Sequence, residues 1–229
     1  PDGQRVAYIS DAPRMQHQLV LRDQAGLEPA KTYALGQGGY FTLLAWSPDG
    51  QRLVLQDNHL NLYAITPGGA LTKLATSPRR GNFKVSFTPD SRWLAYTTTG
   101  ENQLGQVHLF DFANQRSTPV SDGLSHADQP VFSPKGDLLF FSASINSGPS
   151  QVGLDMSTQE RARRLGLYAA VLAADGKSPL FPKAGDEEGK KDEAKKADGK
   201  DGKSPAKEAP KEPVKPVRID LDGLQQRIV

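Results

Sequence analysis

The sequence predicts an all-β protein, a section of a β-propeller, and three observations carry that reading. The stretch Trp46-Ser47-Pro48-Asp49-Gly50-Gln51-Arg52-Leu53-Val54-Leu55 recurs as Phe87-Thr88-Pro89-Asp90-Ser91-Arg92-Trp93-Leu94-Ala95-Tyr96 and as Phe132-Ser133-Pro134-Lys135-Gly136-Asp137-Leu138-Leu139-Phe140-Phe141, and the chain opens inside a fourth copy, Pro1–Ser10. The motif prolines Pro1, Pro48, Pro89 and Pro134 are spaced by 47, 41 and 45 residues, the length of one four-stranded blade. The apolar runs that come after each turn, such as Leu53-Val54-Leu55, are nearly continuous, as expected of a strand buried on both faces. The copies at that period predict about four WD40-like blades of an incomplete propeller ring, with a disordered charged linker after them. The competing fold is an antiparallel sandwich with Pro-Asp-Gly hairpins.

Within the motif, an aromatic ends one strand and packs between blades, and Ser or Thr closes that strand. Pro-Asp-Gly then turns the chain, with proline fixing φ and glycine supplying a positive φ. The first blade is expected to hold strands at Arg5–Ser10, Gln18–Arg22 and Lys31–Leu35. Gly36-Gln37-Gly38-Gly39 links it to the next blade. A phosphate-cradling glycine cluster needs a helix behind it, and Tyr40–Trp46 reads as a strand.

Blade two runs from Tyr40 to about Ser77, with outer strands at Asn61–Thr66 and Leu71–Ala75 joined at Pro67-Gly68-Gly69. Arg79-Arg80, in the next connection, could meet a carboxylate or phosphate, and reads otherwise as a solvated basic loop. Blade three spans Asn82 to Val120, with strands at Trp93–Thr97, Gln106–Phe112 and Ser117–Val120. In its middle strand Val107, Leu109 and Asp111 share one face and His108, Phe110 and Phe112 the other. His108 therefore reads as a packed strand residue, and His59 is read the same way.

Blade four begins near Ser125 and turns irregular after Phe141, with an insertion expected in Ser142–Arg164 before a strand-like run at Leu165–Leu172. Ser125-His126-Ala127-Asp128 holds the residue types of a hydrolase triad, but triad members come from separate elements rather than four consecutive residues. From Lys183 to Lys215 the composition changes to Lys, Glu, Asp, Ala, Gly and Pro, with only Val214 as a branched aliphatic. Such a segment cannot bury enough apolar surface to offset its ordering entropy. The domains expected are therefore a partial propeller over 1–182, a disordered linker over 183–216 and the start of a second propeller domain over 217–229.

Composition limits the function classes. Hydrophobic residues make up only 37% of the 229, in keeping with a chain that is partly unfolded. The formal net charge is +2, so no global field argues for nucleic acid or an anionic membrane as partner. The absence of cysteine removes disulfides, thiolate nucleophiles and Cys-ligated zinc without choosing a compartment. No apolar run reaches the roughly 18 residues needed to span a bilayer. Because Pro1 stands in mid-motif, the chain reads as an excised segment with any signal peptide upstream. The carboxylate clusters Asp186-Glu187-Glu188 and Asp192-Glu193 lack the ligand spacing of a calcium loop and are interleaved with lysines. No catalytic, cofactor-binding or metal residue is expected, and no cofactor.

The repeated aromatic-Ser-Pro-Asp-Gly blades, the Leu167–Leu172 run leading to Ser178-Pro179-Leu180-Phe181-Pro182, the charged linker and Ile219–Val229 together resemble bacterial tricorn-type proteases. The repeat itself is shared with TolB-like propellers and with those of prolyl oligopeptidases. The resemblance implies that this segment covers the later blades of a first, six-bladed propeller and the opening of the next domain. It implies an accessory role, screening and channelling unfolded peptides toward a serine-protease centre in C-terminal domains of the same chain. None of that centre lies in this segment, and the histidines His17, His59, His108 and His126 are not assigned to it. A parent that forms a homo-oligomer in the cytoplasm is implied, with the periplasm as alternative; a non-enzymatic TolB-like binding propeller is the other function in contention.

Overall fold

The computed structural model describes residues 2–12, 16–36, 39–145, 164–180 and 215–229. The linker expected over 183–216 lies almost wholly outside the described residues, as does most of the expected insertion in Ser142–Arg164. The rest is built from four antiparallel sheets. Sheet one holds β1 (Arg5–Ser10), β2 (Gln18–Asp23) and β3 (Lys31–Ala34). Sheet two holds β4 (Phe41–Trp46), β5 (Leu53–Asp57), β6 (Asn61–Ile65) and β7 (Leu71–Thr76). Sheet three holds β8 (Val85–Phe87), β9 (Trp93–Thr99), β10 (Gly105–Asp111) and β11 (Arg116–Pro119). Sheet four holds β12 (His126–Phe132), β13 (Leu138–Ser144) and β14 (Gly166–Val171).

In each sheet the strands keep chain order, the meander of a propeller blade. The first strands of successive blades lie beside one another, so β1, β4, β8 and β12 form the inner side of the array. Alternation along each strand then sends neighbouring side chains into two different blade interfaces. Leu53 and Leu55 pack with Leu19, Leu21 and Leu35 of blade one, whereas Val54 between them packs with Phe83, Leu94, Tyr96 and Phe110 of blade three. Val107 and Leu109 face Ala127, Phe132, Leu139 and Phe141 of blade four. Phe110 and Phe112 face blade two, as the two-face reading of that strand expects. A blade therefore has no core of its own. Its apolar residues are buried only by its neighbours, which is why the middle strands read as continuous apolar runs.

The sequence pattern puts residues 217–229 at the opening of a further domain, but in the structure they pack on blade four. Val229 and Ala169 exchange both backbone hydrogen bonds at 2.9 Å, and Ala170 pairs antiparallel with Ile228. A short 3-10 helix, Leu224–Arg227, carries Leu224 into the apolar layer between blades three and four, at 2% exposure. The physical reason is an open edge: β14 is the outermost strand of sheet four, and an unpaired edge recruits whatever strand the chain can offer.

Candidate functional site: the rim of turns and the blade interfaces

The motif turns of blades two, three and four are each organised by one hydroxyl. Ser47 Oγ donates to Asp49 Oδ1 at 2.5 Å and accepts from Arg52 N at 2.8 Å, while Gly50 N donates to Ser47 O at 2.9 Å. Thr88 repeats this in blade three, with Oγ1 donating to Asp90 Oδ1 at 2.6 Å and accepting from Trp93 N at 2.9 Å. Blade four has Lys135 where the motif has aspartate, and Asp137 takes the carboxylate role, 2.5 Å from Ser133 Oγ. Ser47 and Thr88 are fully buried and Ser133 nearly so. With a carboxylate and a backbone N–H already on each oxygen, these hydroxyls close turns and are not poised as nucleophiles.

The turns also meet one another. Asp49 N donates to Ser91 Oγ at 3.0 Å and Arg52 Nη1 to Ser91 O at 3.3 Å, joining blades two and three along one rim. Arg52 lies over the Phe112 ring, 4.6 Å from its centroid. Farther along, Asp90 Oδ2 accepts from Val217 N at 2.7 Å.

Two of the four histidines bridge blades. Phe41 N donates to His17 Nδ1 at 2.9 Å, and Gly105 N donates to His126 Nδ1 at 3.0 Å, each bond joining adjacent blades. An imidazole whose Nδ1 accepts from the backbone has no Nδ1 proton to present to a carboxylate, which is what a triad histidine needs. His126-Ala127-Asp128 opens the inner strand β12, with Ser125 just before it and Asp128 Oδ1 taken by Gln129 N. His108 is packed as expected, stacked on Tyr96 with centroids 5.3 Å apart and bonded to Thr98 Oγ1 at 3.0 Å; burial holds its pKa below the ordinary value. His59 differs from its expectation. Its side chain is 62% exposed, 3.9 Å from Asp57.

Two carboxylates not singled out in the sequence carry more of the structure than any histidine. Asp57, at the end of β5, accepts from His59 N, Asn61 N, Asn61 Nδ2 and Tyr63 Oη at 2.8–3.1 Å. Burial pushes its carboxyl up, but those four donors together outweigh burial and hold it below the usual carboxylate range. Asp111, at the end of β10, is treated alike: burial is opposed by Ala113 N, Arg92 and Asn114, with a net lowering. An aspartate leading into a turn and a polar residue, as in Asp57-Asn58-His59-Leu60-Asn61, is the local signal that identifies such caps.

Of the pairs of basic residues, Arg79 is bonded to Glu101 at 2.7 Å, the carboxylate partner allowed for it. The glycine linker at 36–39 leads into β4 rather than a helix, although Gln37 and Gly38 lie outside the described residues. Among the described residues no three of His, Cys, Asp or Glu come together in a way that could hold a metal ion, and no helix is long and apolar enough to cross a membrane.

Ordered meanders of three or four strands, first strands side by side and apolar layers between sheets define the class: a β-propeller section. No protein-family model matches the chain. Among solved structures it superposes on the tricorn protease with a TM-score of 0.65 at 16% identity, over 99% of this chain and 20% of that one. It superposes on TolB from Acinetobacter baumannii with a TM-score of 0.50 at 17% identity, over 76% of this chain and 40% of that one. Oligogalacturonate lyase from Vibrio parahaemolyticus gives 0.53 at 14%, over 77% and 48%. At these identities the likeness is one of fold. In sequence the chain is 29% identical over 191 residues to tricorn protease homolog 1 of Streptomyces coelicolor, covering 79% of this chain and 17% of that protein. The particular likeness drawn from the motifs therefore holds: the chain is similar, over most of its length, to one section of a tricorn-type protease.

Proposed function

We infer that this chain is an accessory propeller region of a tricorn-like serine protease, screening unfolded peptides and channelling them toward catalytic domains elsewhere in the same polypeptide. The observation that carries this reading is the sequence likeness to tricorn protease homolog 1, which runs through the blades rather than resting on one motif. The chemistry of the section supports an accessory role. Its buried hydroxyls close turns, His17 and His126 latch blades together, and its buried carboxylates cap hairpins. What is left for substrate is surface on the inner strands, where Thr42 of β4 stays exposed although a blade lies on each side of that strand. Partners on this reading are unfolded peptides and the other domains of the parent, which is expected to work as a homo-oligomer in the cytoplasm.

The test uses the full-length parent and two substrates, a short chromogenic peptide and a long unfolded polypeptide. Replacing Thr42 with Trp enlarges a side chain on this inner surface. Slower hydrolysis of the long substrate with the short one unchanged is the expected result. Absence of any peptidase activity in the parent overturns the reading and leaves a binding propeller of TolB type. Equal effects on both substrates remove the screening role.

A further inference from the structure

The segment Lys215–Val229 touches blade four at its edge, its interior and its turn. At the edge, Val229 and Ala169 form a hydrogen-bonded antiparallel pair and Asp220 N donates to Leu172 O at 3.0 Å. In the interior, Leu224 joins Phe132, Leu139, Phe141 and Leu172, with Ile219, Leu221 and Ile228 packed against the same layer. At the turn, Val217 is 6% exposed and lies so close to Gly136 that a side chain there would collide with it, with Pro89 of blade three nearby. Its backbone N–H is bonded to Asp90 of blade three. The segment thus runs from the motif turns of two blades to the outer edge of one of them.

The chain also leaves and re-enters blade four at one point. Ala174 N donates to Asp220 Oδ2 at 2.8 Å, and Arg218 pairs with Asp175 at 3.2 Å. The Arg227 guanidinium gathers the carbonyls of Val171, Leu172, Asp220 and Asp222. One planar group with several fixed donors is suited to clamping converging backbones.

We propose that residues 217–229 are the closing strap of blade four, supplying its fourth strand and bridging to blade three, so that the charged stretch 183–213 is an excursion out of one blade rather than a tether between two domains. A tether leads away from the unit it leaves. Here the two ends are joined by backbone and side-chain hydrogen bonds, and the apolar side chains that a new domain would need for its own core are used by blade four. On this arrangement the excursion can be cut or shortened without detaching residues 217–229 from the blades.

The test is a nick. A site-specific protease sequence is placed between Lys190 and Lys203 of the full chain, the folded protein is cut, and the products are passed over a sizing column without denaturant. The C-terminal piece is expected to co-elute with the blades and to separate in denaturant, and Val217→Asp with Leu224→Asp is expected to release it. Separation of the wild-type piece without denaturant overturns the proposal. A second variant does not depend on those polar substitutions folding. Hydrogen-bonded antiparallel partners have Cα atoms about 5.5 Å apart, within disulfide reach, and the chain has no cysteine of its own. Ala169→Cys with Val229→Cys is expected to form an internal disulfide on mild oxidation. A folded double variant that keeps both thiols free also overturns it.

Discussion

Blades three and four differ in where their fourth strand comes from. In blade three, β8 to β11 succeed one another between Val85 and Pro119, and each turn is specified by residues within it. In blade four, β12 and β13 are local, β14 comes after an interruption, and the outer edge is met by Ile228 and Val229, more than fifty residues beyond β14. The motif substitution Lys135 falls in the same blade and is compensated by Asp137. The comparison teaches that the repeat encodes a blade fully only when its strands are consecutive. Where the chain leaves a blade, non-local contacts must finish it.

The largest effect expected is loss of a buried residue in either blade. Trp93→Ala, at 4% exposure between blades three and four, should cost about 3–5 kcal/mol in denaturant unfolding of the full chain. Leu224→Ala should cost about 2–5 kcal/mol if the last segment belongs to blade four as fully as Trp93 belongs to blade three. A change below about 0.5 kcal/mol, typical of surface positions, would break the equivalence. Asp57→Ala comes next. It strands three N–H donors and one hydroxyl in a half-buried turn, and a loss of about 1–3 kcal/mol is expected from the same measurement.

Blades two and three offer a finer comparison at one turn position. Gly50 has φ 68° and Ser91, its counterpart, has φ 61°. Gly50→Ala should destabilise by about 1–2 kcal/mol, the cost of a side chain in the left-handed region. Ser91→Gly relieves that strain but removes the hydroxyl bonded to Asp49 N, so the two effects oppose and a net change under about 1 kcal/mol is expected. If Ser91→Gly stabilised the chain as much as Gly50→Ala destabilised it, the bond between the turns would contribute nothing.

The smallest effect expected is in pH dependence. Burial lowers the His108 pKa, so the unfolded imidazole takes up a proton first as the pH falls. Its contribution is fully present above the unfolded value of 6.5 and is lost as pH falls from there toward the folded one. Unfolding midpoints between pH 7 and 5 should therefore fall less steeply in His108→Gln than in the unchanged chain. Asp57 and Asp111 act lower, where stability is present above 3.8 and lost as pH falls through their folded values.

Most of the fold was legible because the signals are local. Turn chemistry at Pro48-Asp49-Gly50 and alternation through Gln106–Phe112 placed strands to within about two residues of β5 to β7 and β9 to β11. The hairpin caps Asp57 and Asp111 were equally local, but an aspartate on a strand pattern draws attention to its face rather than to the turn beyond it. Ile219-Asp220-Leu221-Asp222-Gly223-Leu224 was not decidable from sequence. Its alternation and Asp-Gly turn suit the first strand of a new blade as well as the last edge of an old one. What separates the two is the exchange of hydrogen bonds with Ala169, which no window short of that distance contains. The functional expectation rested on resemblance alone, since side chains that resemble a catalytic set are otherwise engaged, His126 with Gly105 of blade three and Asp128 with its neighbour Gln129.

Amide hydrogen exchange on the intact chain tests most directly whether blade four is finished by the returning segment. The amides of Val217, Asp220 and Val229 donate to Asp90, Leu172 and Ala169, while Leu172 N donates to Asp137 within the blade. The account predicts that these amides are protected together, with the three strap amides losing protection in step with Leu172 as denaturant is raised. Exchange of the strap amides at the rates of an unstructured chain, while Leu172 stays protected, would contradict it.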